Sequence, residues 1–152
     1  MCKTLDRAWL ALAFGLSVAA QVGAVPTTDE AGLAAIRAAT GGTMTATQGT
    51  LQDATCGAVP YEAEAVDLNG DGQPEVMTKE HGGCFGMAGV RMNLYIKGRN
   101  GRWVPQFGFP GMPMVQSTRS HGFPDIEVGG PGQCFPVWRY DGQRYKLHKR
   151  CR

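Results

Sequence analysis

The stretch Val66-Asp67-Leu68-Asn69-Gly70-Asp71-Gly72-Gln73-Pro74-Glu75-Val76 sets three carboxylates and two side-chain amides around two glycines. An EF-hand-type loop takes calcium oxygens from its positions one, three, five, seven and nine, and turns on a glycine at six. Asp67, Asn69 and Asp71 fill the first three positions, Gly72 sits at six, the Gln73 carbonyl at seven and Glu75 at nine. Thr78 stands where a helix-loop-helix site carries its bidentate glutamate. Pro74 and the strand-like sequence on both sides also argue against flanking helices, so the stretch reads as a loop between strands. Asx-turns alone also account for Asp and Asn at such positions, and a metal-free turn is the other reading of the same residues.

Strand patterns follow the loop. Val90, Met92, Leu94 and Ile96 alternate with Arg91, Asn93, Tyr95 and Lys97, the period-two signature of a strand with one buried face. Asn100-Gly101 and Asp141-Gly142 are hairpin signals, because these residues tolerate positive φ. Tyr61–Asp67, Glu75–Lys79 and Asp125–Val128 are further short strand candidates. An offset of fifty residues relates Pro74-Glu75-Val76 to Pro124-Asp125-Ile126, Cys84-Phe85 to Cys134-Phe135, and Gly72 to Gly122. Each Cys-Phe precedes a strand-like run, a turn signal and an aromatic strand: Asn93–Ile96 and Trp103, then Val137–Tyr140 and Tyr145. Several features in one order predict a duplicated β unit. Shifted by fifty, Asp67, Asn69 and Asp71 become Ser117, Arg119 and His121. The second copy keeps the turn without the oxygen ligands.

One helix is expected ahead of the strands. Thr28 can cap it, Asp29 and Glu30 suit its first turn, and Gly41-Gly42 can stop it. Leu33 and Ile36 among alanines give a narrow apolar face for packing on a sheet. Thr43–Thr55 is polar with little periodicity and carries no assignment. The expected fold is α+β, mainly β: an N-terminal helix, then two duplicated antiparallel strand-hairpin units stapled by disulfides.

Asp67-Leu68-Asn69-Gly70-Asp71-Gly72-Gln73-Pro74-Glu75 resembles the D-x-N-G-D-G-x-x-[DE] loop of FG-GAP and VCBS-type repeats. The resemblance covers about a dozen residues, or about fifty with the second copy. It implies a β-rich, extracellular setting and a calcium ion between strands, with Asp67, Asn69, Asp71, Gln73 and Glu75 as the matching ligands. A propeller needs roughly four to eight blades, more than this chain holds, so a local module is implied. Three carboxylates predict weak affinity, on the order of 10⁻⁴ to 10⁻³ M as in extracellular modules.

The first residues carry an export pattern. Lys3 and Arg7 precede the apolar run Trp9–Ala20, and small-residue sites follow at Val18-Ala19-Ala20 and Val22-Gly23-Ala24. This is the layout of a secretory signal peptide, expected over residues 1–24. The apolar run is short for a membrane span and no second one follows. Cleavage after Ala24 leaves residues 25–152 as a single exported β-rich domain, periplasmic or secreted. That domain has 13 basic and 12 acidic residues, a near-neutral balance that gives no reason to expect nucleic acid or an anionic membrane as partner.

Cys2 leaves with the signal, and Cys56, Cys84, Cys134 and Cys151 remain. An even count in an oxidising compartment points to two disulfides. Pairing Tyr140 with Tyr145 across an Asp141–Arg144 loop sets Cys134 opposite Cys151, which leaves Cys56 for Cys84.

Other motifs carry less chemistry. His81 lies three residues before Cys84, but a disulfide would make that sulfur inert. His81, His121 and His148 lack metal-ligand spacing, and Glu62 and Glu64 are expected to face water. Trp103, Trp138 and Tyr145 read as core or sheet-surface aromatics. Phe107–Met114 is apolar, rich in Gly and Pro and poorly suited to a regular strand. It is either a contact loop for a protein partner or a crossing between the two copies. The expected function is a non-enzymatic binding or structural module with a calcium-stabilised loop, an inhibitor or immunity-type protein being compatible with its size. A small secreted hydrolase using the acidic loop and His81 is the alternative.

Overall fold

Alternation along the strands decides which faces are buried, and it produces three layers. The computed structural model describes residues 26–27, 29–130, 132 and 134–151. The elements are β1 (Pro26–Thr27), α1 (Glu30–Ala39), β2 (Gln48–Asp53), β3 (Gly57–Val66), β4 (Glu75–His81) and a 3₁₀ segment (Gly83–Ala88). They continue with β5 (Val90–Lys97), β6 (Trp103–Pro105), β7 (Phe109–Pro110), β8 (Met112–Ser120), β9 (Phe123–Gly129), β10 (Val137–Tyr140) and β11 (Tyr145–Lys149). The expected signal segment, residues 1–24, and the expected cap Thr28 lie outside the described residues.

The first sheet runs β1-β3-β4-β5-β6, with β2 also paired to β3 and β7 to β5; the second runs β11-β10-β9-β8. Every pairing is antiparallel. Val90, Met92, Leu94 and Ile96 are 2, 0, 0 and 6 % exposed, as their alternation requires. Met92, Leu94 and Ile96 pack with Ile126, Val128, Phe123 and Tyr145 of the second sheet, forming the core between the sheets. Phe107 joins this core and meets Trp138 edge-on, centroids 5.5 Å apart. Tyr145 closes it, its hydroxyl donating to the Pro124 carbonyl at 2.7 Å. Burying a large apolar side chain of this kind stabilises by about 1.5–3 kcal/mol relative to leaving it exposed.

The opposite face of the first sheet carries the helix. Ile36 of α1 packs with Tyr61, Ala63, Ala65 and Val76. Small alanines on β3 let the helix approach closely, and the central strand β4 is thereby covered on both faces. Asp29, expected in the first turn behind a Thr28 cap, is itself the cap of α1, its carboxylate accepting from the Gly32 amide at 2.9 Å because a short acid one residue before the helix reaches that amide. Gly41 and Gly42, at φ 61° and 86°, then turn the chain away.

Two stretches differ from the sequence reading. Thr43–Thr55 contains β2, whose pairing with β3 compensates for its weak periodicity. Phe107–Met114, read as unsuited to strand, contains β7 and the start of β8. Both are edge strands, where proline is tolerated because one row of backbone groups needs no partner. Pro110 and Pro113 sit on those edges. This segment carries the chain from one sheet to the other.

The described cysteines form two disulfides, Cys56–Cys84 and Cys134–Cys151, with Cα atoms 5.8 and 5.4 Å apart. Tyr140 does pair with Tyr145, but a bulge between Val137 and Trp138 shifts the register further out. The second bridge forms beyond that bulge. Two disulfides point to an oxidising, extracellular-type compartment. No helix among the described residues is long and apolar enough to cross a membrane.

Candidate metal loop and the cleft beside it

The connection from β3 to β4 folds around its own side chains. Asp67 Oδ1 accepts from the amides of Gly70 (2.7 Å) and Asp71 (3.2 Å), and Oδ2 from that of Gly72 (2.8 Å). Asn69 Oδ1 accepts from the Asp71 amide at 2.9 Å, and Asp71 Oδ1 from the Gln73 amide at 2.7 Å. Gly70 and Gly72 take φ 79° and 82°, which residues with a Cβ rarely adopt. Asx-turn geometry thus holds the loop without any further group.

Glu75 closes the base of the loop. Its Oε2 accepts from the Leu68 amide at 2.9 Å, and the residue is 3 % exposed. Burial pushes its carboxyl up to about 7, the Asp71 and Asp67 charges add to the rise, and the Leu68 amide opposes it. Glu75 also lines a cleft of about 440 Å³ together with Asn69, Asp71, Gln73, Arg99 and Tyr140.

The connection from β8 to β9 lies alongside. Arg119 donates through Nη1 to the carbonyls of Leu68 (2.8 Å) and Gly122 (2.7 Å), tying the two loops together. Asp125, 1 % exposed, lies on β9, fifty residues after Glu75. The Thr118 hydroxyl donates to its Oδ2 at 2.7 Å. Arg139 donates from Nε to Oδ1 (2.9 Å) and from Nη2 to Oδ2 (2.7 Å). Arg139 holds the Asp125 carboxyl below the usual carboxylate range.

Cross-strand register explains the contrast. Trp138 pairs with Ile126, so the next step sets Arg139 beside Asp125. Val76 pairs with Tyr95, so the next step sets Ile96 beside Glu75. Asp125 is bonded by a guanidinium, whereas Glu75, with Arg99 elsewhere in its cleft, is bonded by the Leu68 amide and by no cationic side chain among the described residues.

The donor set of the first loop suits a hard cation, because it is all oxygen. An ionised carboxylate offers about four acceptor sites, so Asp67 and Asp71 keep acceptor capacity beyond their loop bonds. Among the described residues, however, no three His, Cys, Asp or Glu side chains are already gathered as metal ligands. Bringing Asp67, Asp71 and Glu75 to one point would take side-chain rotation.

His81 is not part of this constellation. It ends β4, which Glu75 begins, and six strand steps separate them by about 20 Å. Its Nε2 lies 3.5 Å from Glu62 Oε1 instead, and Cys84 beside it is disulfide-bonded. The Phe107–Met114 segment is divided: Phe107 is 7 % exposed and Met112 is 45 % exposed.

Several polar groups of consequence escaped the sequence reading. Arg91 pairs with Glu80 and, at 2.7 Å, with Asp53, while its guanidinium lies 4.7 Å from the Phe85 ring centre. The Cys56 and Thr55 amides and Arg91 hold the Asp53 carboxyl at about 2. Arg91 stood on the polar side of its strand pattern, and only the packing of neighbouring elements on that face reveals its ion pairs. No protein-family model, curated protein or solved structure matches this chain.

Proposed function

We propose that the chain is an exported, non-catalytic binding or structural module whose Val66–Val76 loop takes up calcium. The observation that carries this reading is the unequal treatment of two buried acids. Asp125 is bonded by Arg139, whereas Glu75 is bonded by the Leu68 amide and by no cationic side chain among the described residues. The second unit carries its own cation, and the first leaves Glu75, Asp67 and Asp71 to be answered by one from solution. Asp67, Asn69, Asp71, the Gln73 carbonyl and Glu75 would hold it, and the ion would offset their mutual repulsion and stiffen the β3–β4 connection. Residues 1–24 serve in this reading as the signal peptide, and the site of action is the periplasm or the exterior.

The same comparison supports a duplicated β unit. The meanders β3-β4-β5-β6 and β8-β9-β10-β11 share one strand order, and fifty residues apart Leu68, by its amide, and Thr118, by its hydroxyl, donate to the buried acid of their unit. The hydrolase alternative lacks support from the separation of His81 and the acidic loop.

Thermal unfolding in calcium, magnesium and chelator tests the reading. With a dissociation constant of about 10⁻⁴ to 10⁻³ M, 10 mM calcium should stabilise by about 1.4–2.7 kcal/mol. The Asp67→Ala, Asp71→Ala double variant should gain nothing. Equal effects of calcium on both proteins would end the proposal.

A further inference from the structure

Methionine is distributed unevenly in this molecule. Of the seven in the sequence, Met44, Met77 and Met92 are buried at 2, 4 and 0 % exposure. Apart from the initiator, every other methionine lines one surface groove of about 330 Å³: Met87, Met112 and Met114, beside Phe135 and Gly129. We propose that this groove binds a soft monovalent cation, Cu(I) or its analogue Ag(I), through the thioether sulfurs of Met87, Met112 and Met114.

The fold positions all three. Met112 and Met114 are two residues apart on β8 and so project from one face of that strand. Across the ladder Met112 pairs with Gly129 and Met114 with Glu127. A Cβ at Gly129 would stand 3.2 Å from the Met114 methyl carbon and 3.7 Å from the Phe135 ring. The glycine therefore leaves room for the thioether to lie inside the groove. Met87 comes from the other side, on the 3₁₀ segment, between Gly86 at φ 70° and Gly89 at φ 64°. It is 84 % exposed, so packing within the chain does not account for it.

Softness fits. The three rotatable bonds of methionine let thioethers lining one groove converge on a common point. Thioethers select Cu(I) among biological metals, whereas calcium and magnesium want oxygen. The cysteines at 56, 84, 134 and 151 are disulfide-bonded, so none of them offers a thiolate. The groove is chemically distinct from the acidic loop and its occupancy is independent of calcium.

Silver titration of the oxidised full-length chain, carrying Cys2→Ser to remove a competing thiol, provides the test. Methyl spectra of ¹³C-methionine protein should show one equivalent of Ag(I) shifting Met87, Met112 and Met114 while leaving Met44, Met77 and Met92 in place. Cu(I) held with ascorbate under nitrogen should displace the silver, and Ca(II) should not. Replacing all three with leucine keeps volume and apolarity, which cores generally tolerate, and should weaken binding at least 100-fold. Met87→Leu alone changes an exposed side chain and should weaken it at least 10-fold, which keeps the test open should the triple variant fold poorly. Unchanged affinity in Met87→Leu, or methyl shifts that begin at the buried methionines, would overturn the proposal. An apolar partner that seats equally well on the triple leucine variant, with no silver bound to the parent, would overturn it also.

Discussion

Replacing Glu75 with glutamine should make the protein more stable at pH 8 and leave it unchanged at pH 4. Glu75 has an ordinary value of 4.5 and a folded value of about 7. At 1.36 kcal/mol per pH unit, that interval corresponds to about 3 kcal/mol. Below pH 4.5 the carboxyl is protonated in both folded and unfolded chains, and it favours neither. Between pH 4.5 and 7 the unfolded chain releases its proton while the folded chain keeps it, so stability falls with rising pH. Above pH 7 the full deficit is present. Glutamine carries no charge and retains an oxygen for the Leu68 amide. Urea unfolding in chelator, at intervals from pH 4 to 8, should show the two proteins alike at pH 4 and the variant ahead by up to about 3 kcal/mol at pH 8. Calcium at 10 mM should narrow the gap at pH 8 by stabilising the parent alone. A difference that does not vary with pH, or a variant weaker at pH 8, would refute the reasoning about this buried acid.

Other perturbations address the frame around the site. Arg91→Leu leaves the Glu80 carboxylate, 5 % exposed, with one long side-chain contact among the described residues, to Asn93. It should cost about 3 kcal/mol in urea unfolding, the low end for losing one partner of a buried pair because the guanidinium is partly exposed. Adding Glu80→Gln should recover much of that loss. Removing the Cys134–Cys151 bridge, which closes a separation of 17 residues, by replacing both cysteines with serine should cost about 3 kcal/mol in the same assay. Gly111→Ala should lower stability by about 1–3 kcal/mol. The glycine stands at φ 149°, where a Cβ would collide with Val128 and lie 3.1 Å from the Gly129 carbonyl oxygen.

The strands that pattern strongly were readable in the sequence, and the edges were not. β5 shows its alternation over eight residues, and both halves of the β10–β11 hairpin follow from Asp141-Gly142. β2 and β8 lie beside stronger partners and take their conformation from pairing, which no local pattern records. The loop residues Asp67, Asn69 and Asp71 were visible because Asx chemistry is local. Arg139 beside Asp125 was not, because that pair depends on register between strands fourteen residues apart. The same holds for the groove: Met87 and Met112 are distant in sequence, and only the crossing from one sheet to the other brings them together.

The central claim is that the first loop draws its missing positive charge from solution. Calorimetric titration of the oxidised protein with calcium at pH 7.5 measures this directly. The account predicts one saturable site with a dissociation constant on the order of 10⁻⁴ to 10⁻³ M, abolished in the Asp67→Ala, Asp71→Ala variant and not reproduced by magnesium. No heat of binding at millimolar calcium, or the same isotherm from the variant, would contradict it.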